Sequence, residues 1–235
     1  MAENELEELT EKMLECIGSY LKLKPADIGS YTQMHWPKLL PLMHLHARSY
    51  HVDKYGSIFA MNTHVAGDMM DLATIVCTPN AGGDVPVLLI DIMKMKQKQA
   101  VFVEYYDCTE NGAEDDRLQK VKQTYDSLED YAEKPAWYVK ERTKDSLIKG
   151  GRDWESLKKM AAASMHAYAE MAASHLPGTC AEENQHRLNA FIDRMTKEGN
   201  PSSSIMMKVM GKEEAEHFFR TVIMPESWRE GGEKI

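Results

Sequence analysis

Apolar residues near the start of the chain fall at Leu6, Leu9, Met13, Ile17 and Leu21, close to a helical period, with acidic residues between them. This predicts an amphipathic helix over residues 5–23, limited by Pro25. Residues 34–50 are broken by Pro37 and Pro41, and residues 40–47 are expected to form a short helix. The pattern then changes. Residues 57–65, 70–77, 85–95 and 100–106 are dense in Val, Ile, Leu, Phe and Met and read as four strands. Gly67-Asp68, the run Thr78-Pro79-Asn80-Ala81-Gly82-Gly83, and Lys96-Gln97-Lys98-Gln99 separate them as turns and loops. Connections this short favour an antiparallel meander. The third strand is apolar almost throughout, which requires cover on both faces.

After Thr109 the period becomes helical again. Helices are expected over residues 115–133, 154–174, 181–196, 200–210 and 212–222, with Gly211 as the stop between the last two. The tail, residues 226–235, is expected to fray. Helices on both sides of a central run of strands predict the α/β class, as a three-layer α/β/α sandwich around one antiparallel sheet. No internal repeat or low-complexity linker interrupts the 235 residues, so a single domain over residues 1–235 is expected.

Composition narrows the function classes. The chain is 43% hydrophobic and 28% charged, ordinary for a globular protein. It has no apolar run of the roughly 20 residues a membrane helix needs, and residues 1–10 are acidic rather than signal-like. A cytoplasmic location without a membrane partner is the expectation. The net charge of −9 argues against nucleic acid as a partner. Positive charge is concentrated at Lys94, Lys96 and Lys98, and again from Lys140 through Arg142, Lys144, Lys149 and Arg152 to Lys159. Such groups suit solvated faces, anionic ligand groups or an acidic protein partner. Cys16, Cys77, Cys108 and Cys180 form no CxxC pair and read as reduced, buried thiols.

Asp91 is the most anomalous residue. It interrupts Val87-Leu88-Leu89-Ile90-Asp91-Ile92-Met93. A carboxylate in a doubly covered strand is costly unless paired, protonated or used. Desolvation raises its pKa, which suits a proton donor. The 17 methionines include Met69, Met70, Met93 and Met95 on these strands, where they fill core or form a deformable wall for a large ligand. His35, His44, His46 and His51 cluster in sequence, but no Cys or acidic partner stands at metal-ligand spacing, and no metal is expected.

Asp71-Leu72-Ala73-Thr74-Ile75-Val76-Cys77-Thr78-Pro79, a short loop, then Val85-Pro86-Val87-Leu88-Leu89-Ile90-Asp91-Ile92 resembles the paired-strand signature of the ferredoxin-dependent bilin reductases. The run from Asn200-Pro201 to Gly211, continuing into Glu214-Ala215-Glu216-His217-Phe218-Phe219, is similar to that family's C-terminal segment. The spacing is compatible from about Tyr50 to Met224. The resemblance implies the same α/β/α sandwich. It implies reduction of an open-chain tetrapyrrole such as biliverdin, with no bound cofactor and with reduced ferredoxin as the external electron donor. Asp91 takes the place of the family's strand aspartate, which protonates the bilin. Lys149 and Arg152 fall near the basic residues that hold substrate propionates, and Asn200 matches the C-terminal asparagine.

Phycocyanobilin-forming members carry a His where this chain has Thr74, a Glu where it has Asn62, and an Asp where it has Pro201. With Asp91 alone remaining, the resemblance implies a two-electron rather than a four-electron reduction. Alternation along a strand puts His64 on the same face as Asn62, roughly 7 Å further along, so His64 is a candidate second donor if Asn62 faces the ligand. Two other readings stay open: a reductase of a different tetrapyrrole, similar to the red chlorophyll catabolite reductases, and a non-catalytic bilin-binding protein.

Overall fold

A computed structural model describes residues 5–37, 42–67, 69–80, 84–109, 114–175, 182–200 and 203–225. Among them, eight strands form one antiparallel sheet. The strands are β1 (Leu23–Ala26), β2 (Gln33–Trp36), β3 (Met43–Val52), β4 (Gly56–Val65), β5 (Met70–Pro79), β6 (Val87–Met95), β7 (Gln99–Tyr106) and β8 (Leu147–Gly151). Their order is β1-β3-β4-β5-β6-β7-β8, with β2 also paired to β3. The four expected central strands are all present as an antiparallel meander.

The helices are α1 (Glu5–Tyr20), α2 (Asp116–Tyr125), α3 (Trp154–Ser174), α4 (Glu182–Lys197), α5 (Ser203–Met210) and α6 (Lys212–Phe218). They divide between the two sides of the sheet. Ile58, Ala60, Ala73, Ile75, Leu88, Ile90, Ile92 and Val101 pack under α1, α2 and α3. Their neighbours in sequence, Phe59, Met61, Val76 and Leu89, with Tyr106, pack under α4, α5, α6 and the π-turn Phe219–Ile223. The sandwich therefore has two cores, one on each face, and strands buried on both sides. Each fully buried Ile or Leu contributes about 1.5–3 kcal/mol. Gly211 does separate α5 from α6, and its φ of 88° is open to glycine at little cost.

Three expectations are corrected. Residues 43–52 form β3, not part of a helix. The period-two alternation of Leu45, Ala47 and Ser49 with His46, Arg48 and Tyr50 sets one row into the core, and β4 supplies the hydrogen-bond partner strand. The helix expected over residues 115–133 stops at Tyr125. Beyond it, Tyr131 N donates to Ile148 O at 3.0 Å and Gly150 N donates to Glu129 O at 2.8 Å, so residues 129–131 lie along the outer edge of β8. The last helix ends at Phe218 and widens into the π-turn, where Met224 N donates to Phe219 O.

Cys77 and Cys108 are buried free thiols, as expected, whereas Cys16 is only half-buried; Cys180, Asp68 and residues 226–235 lie outside the described residues. Among the described residues no helix is long and apolar enough to cross a membrane.

Candidate active site

Asp91 stands mid-sheet on the face covered by α4, α5 and α6. Strand pairing sets Thr74 opposite it on β5 and Phe102 opposite it on β7. The Thr74 hydroxyl donates to Asp91 Oδ1 at 2.5 Å. Burial penalises the carboxylate and pushes the Asp91 pKa up to about 6, with the Thr74 hydrogen bond pulling the other way.

A second carboxyl shares this face. Glu104 lies two residues beyond Phe102 on β7, diagonal to Asp91, where Cβ atoms of an ordinary sheet are roughly 7–8 Å apart. It is 1% exposed. Its Oε1 accepts from Tyr106 Oη at 3.0 Å and from the Arg142 guanidinium. Arg142 also holds Glu133 through two parallel bonds of 2.5 and 2.8 Å. Burial raises the Glu104 pKa to about 7; Arg142 opposes the rise and Asp91 adds to it.

Asp91, Glu104 and Arg142 line a cavity of about 410 Å³, within the size range of small-molecule sites. Met93, Leu72 and Phe102 give it an apolar floor, and Ile205 closes it from α5. Its outer wall is the segment that replaces the expected helix, with Tyr131 and Glu133 facing inward, continued by Tyr138 from the following turn Trp137–Glu141. That wall is fastened from the other side of the sheet. Lys149 Nζ donates to Asp126 O at 2.8 Å, Leu128 O at 3.1 Å and Asp130 Oδ1 at 2.7 Å. Gly151 permits the approach: its φ is +116°, and a Cβ there would come within 2.8 Å of Glu129 Oε2.

Two protonatable carboxyls in one cavity, with a fixed guanidinium beside them, can deliver protons to a bound molecule. No protein-family model matches the chain, and no curated protein matches it significantly in sequence. The crystal structure of phytochromobilin synthase from tomato in complex with biliverdin matches it with a TM-score of 0.76. The match covers 97% of this chain and 85% of that one, at 12% sequence identity. The chain has the fold of phytochromobilin synthase. That is the fold implied by the bilin reductase resemblance, with a central antiparallel sheet between packed helices.

Within the phytochromobilin synthase fold, the sequence-derived residues separate into two sets. Asp91, Thr74 and Met93 share the cavity face. Asn62 and His64 do share a face, but it is the opposite one. Met61 stands across from Thr74, so its neighbour Asn62 points to α1. There Asn62 Nδ2 donates to Thr10 Oγ1 at 3.0 Å and to Leu6 O at 3.4 Å. His64 Nδ1 pairs with Asp71 Oδ1 at 2.6 Å on the same side. Thr63, buried opposite Leu72, lies with Met61 on the β4 face that Asp91 shares. Lys149 also points away, and its amine is taken up by the wall segment. Arg152 is exposed at the turn into α3. Asn200 donates to Met195 O at 3.1 Å and lines a different cavity of about 360 Å³ among α4, α5 and α6. Pro201 lies outside the described residues.

Glu104 escaped the sequence reading although it carries the same signal as Asp91: an acid within Val101-Phe102-Val103-Glu104-Tyr105-Tyr106. In the sequence Arg142 is only one member of the basic run from Lys140 to Lys159; its place beside Glu104 depends on a distant segment of chain.

Proposed function

We propose that this chain is a bilin reductase-like oxidoreductase. It binds an open-chain tetrapyrrole of the biliverdin type in the cavity lined by Asp91, Glu104 and Arg142. It reduces the ligand by two electrons supplied one at a time by ferredoxin, and Asp91 is a proton donor. One observation carries the reading: a buried, protonatable Asp91 faces a cavity in a fold whose tomato counterpart holds biliverdin. The bilin takes up the electrons itself, so the protein's task is to bind, to exclude water and to place protons. Aromatic walls with Phe102, Tyr131 and Tyr138 suit a flat conjugated ligand, and Lys98 and Lys134 supply positive charge at the same cavity for its carboxylates.

The test is an anaerobic absorbance assay with biliverdin, followed by a ferredoxin-reducing system. The expected result is sharpened bilin bands on mixing, then a new spectrum on reduction. Bands that sharpen and then stay unchanged would make the chain a bilin-binding protein instead. No change on mixing would direct the search to another tetrapyrrole.

A further inference from the structure

We infer that Glu104 is a second proton donor to the bound ligand, acting beside Asp91 from the adjacent strand. The inference deepens the bilin-reducing reading of the cavity and rests on it.

The two oxygens of Glu104 are used differently. Oε1 accepts from both Tyr106 and Arg142. Oε2 is buried and has no hydrogen-bond partner among the described residues. A buried carboxylate oxygen left without a donor is costly. Protonating Oε2 removes the buried charge, and a ligand in the cavity that Glu104 lines would be the acceptor its O–H still lacks. Arg142 does not require an ionised Glu104, because Glu133 already meets its charge through two bonds. The guanidinium instead steadies the carboxylate that remains once the proton has left. Asp91 and Glu104 also act on each other: ionising one makes the other hold its proton more tightly. The pair therefore keeps a proton available near neutral pH.

The stoichiometry fits. Reducing one double bond of a bilin adds two electrons and two protons. Each electron comes from the one-electron oxidation of one reduced ferredoxin. Each carboxyl O–H bond breaks as its proton forms a C–H or N–H bond on the ligand, and water reprotonates both carboxylates afterwards. Two donors in one cavity complete the step without reloading Asp91 midway. Glu104 thus supplies an acid that Thr74, Asn62 and Pro201 do not.

The experiment compares the wild type with Glu104→Gln and Tyr106→Phe, using biliverdin and reduced ferredoxin under anaerobic conditions. Glu104→Gln should bind biliverdin with the wild-type absorbance change and accept one electron. It should then accumulate a bilin radical visible by electron paramagnetic resonance, with product formation at least about 100-fold slower. Tyr106→Phe removes a donor that favours the Glu104 carboxylate, so it should still form product, with the alkaline limb of its pH–rate profile moved to higher pH. Full-rate product from Glu104→Gln would overturn the role of Glu104 and leave the bilin reading standing. If Glu104→Gln does not fold, an unmoved alkaline limb in Tyr106→Phe would overturn it equally. Failure of the wild type to alter biliverdin would overturn the bilin reading, and the role of Glu104 with it.

Discussion

Thr74 and Asp91 face each other across β5 and β6, and the Thr74 hydroxyl points its proton at Asp91 Oδ1 over 2.5 Å. A hydroxyl donor favours the charged carboxylate, so it moderates the rise that burial imposes. Thr74→Val keeps the shape and removes the donor. Asp91 should then hold its proton to higher pH than the present value of about 6. The carbonyl stretch of the protonated carboxyl, followed by infrared titration against Asp91→Asn, measures this. An unmoved midpoint would show that the hydroxyl donates elsewhere.

Asp91→Asn has two expected effects of opposite kind. Product formation should fall by at least about 100-fold, the usual contribution of a general acid. Stability should change with pH. The folded pKa of about 6 lies above the ordinary 3.8, so native Asp91 favours folding only while protonated. Its contribution is full below about pH 4 and lost as pH rises through about 6. The variant escapes that loss and should be more stable than the wild type at pH 8, by on the order of 3 kcal/mol. Urea unfolding at pH 5 and pH 8 checks the sign, since the gap should narrow at pH 5.

Lys149 is expected to be structural. Lys149→Met removes three hydrogen bonds that fasten residues 126–130 and leaves two backbone carbonyls short of a donor. A loss of about 1–3 kcal/mol is expected. Amide hydrogen exchange should rise in residues 126–134 before it rises in β5 and β6. Uniform protection with weakened bilin binding would instead place Lys149 on the ligand.

His64→Gln should leave bilin turnover unchanged, because His64 and its partner Asp71 lie across the sheet from Asp91. A variant that binds biliverdin but stalls would return His64 to the catalytic set.

The central meander was legible because its four strands are continuous apolar runs separated by glycine- and lysine-rich turns. Asp91 was legible for the same reason, as a charge where the pattern allows none. What was hidden depends on register and on distant chain. Whether Asn62 or Thr63 shares the Asp91 face of the sheet turns on a one-residue offset, which flips every side chain to the other face. Lys149 looked like a ligand group because its three acceptors come from a segment 19 to 23 residues away. The wall segment read as helix because its amphipathic spacing continues past Tyr125; pairing with β8 overrides that local preference. β3 was masked by its histidines and by the prolines before it.

The strip that forms the cavity's outer wall also covers the last strand of the sheet. An exposed strand edge invites another chain to add to it. While residues 129–131 lie along β8, backbone groups there are occupied. Swinging the strip outward to admit a large ligand would uncover that edge, so the motion that opens the site also opens a route to self-association. A bound ligand that holds the strip closed would then protect the protein from aggregation as well as occupy its pocket.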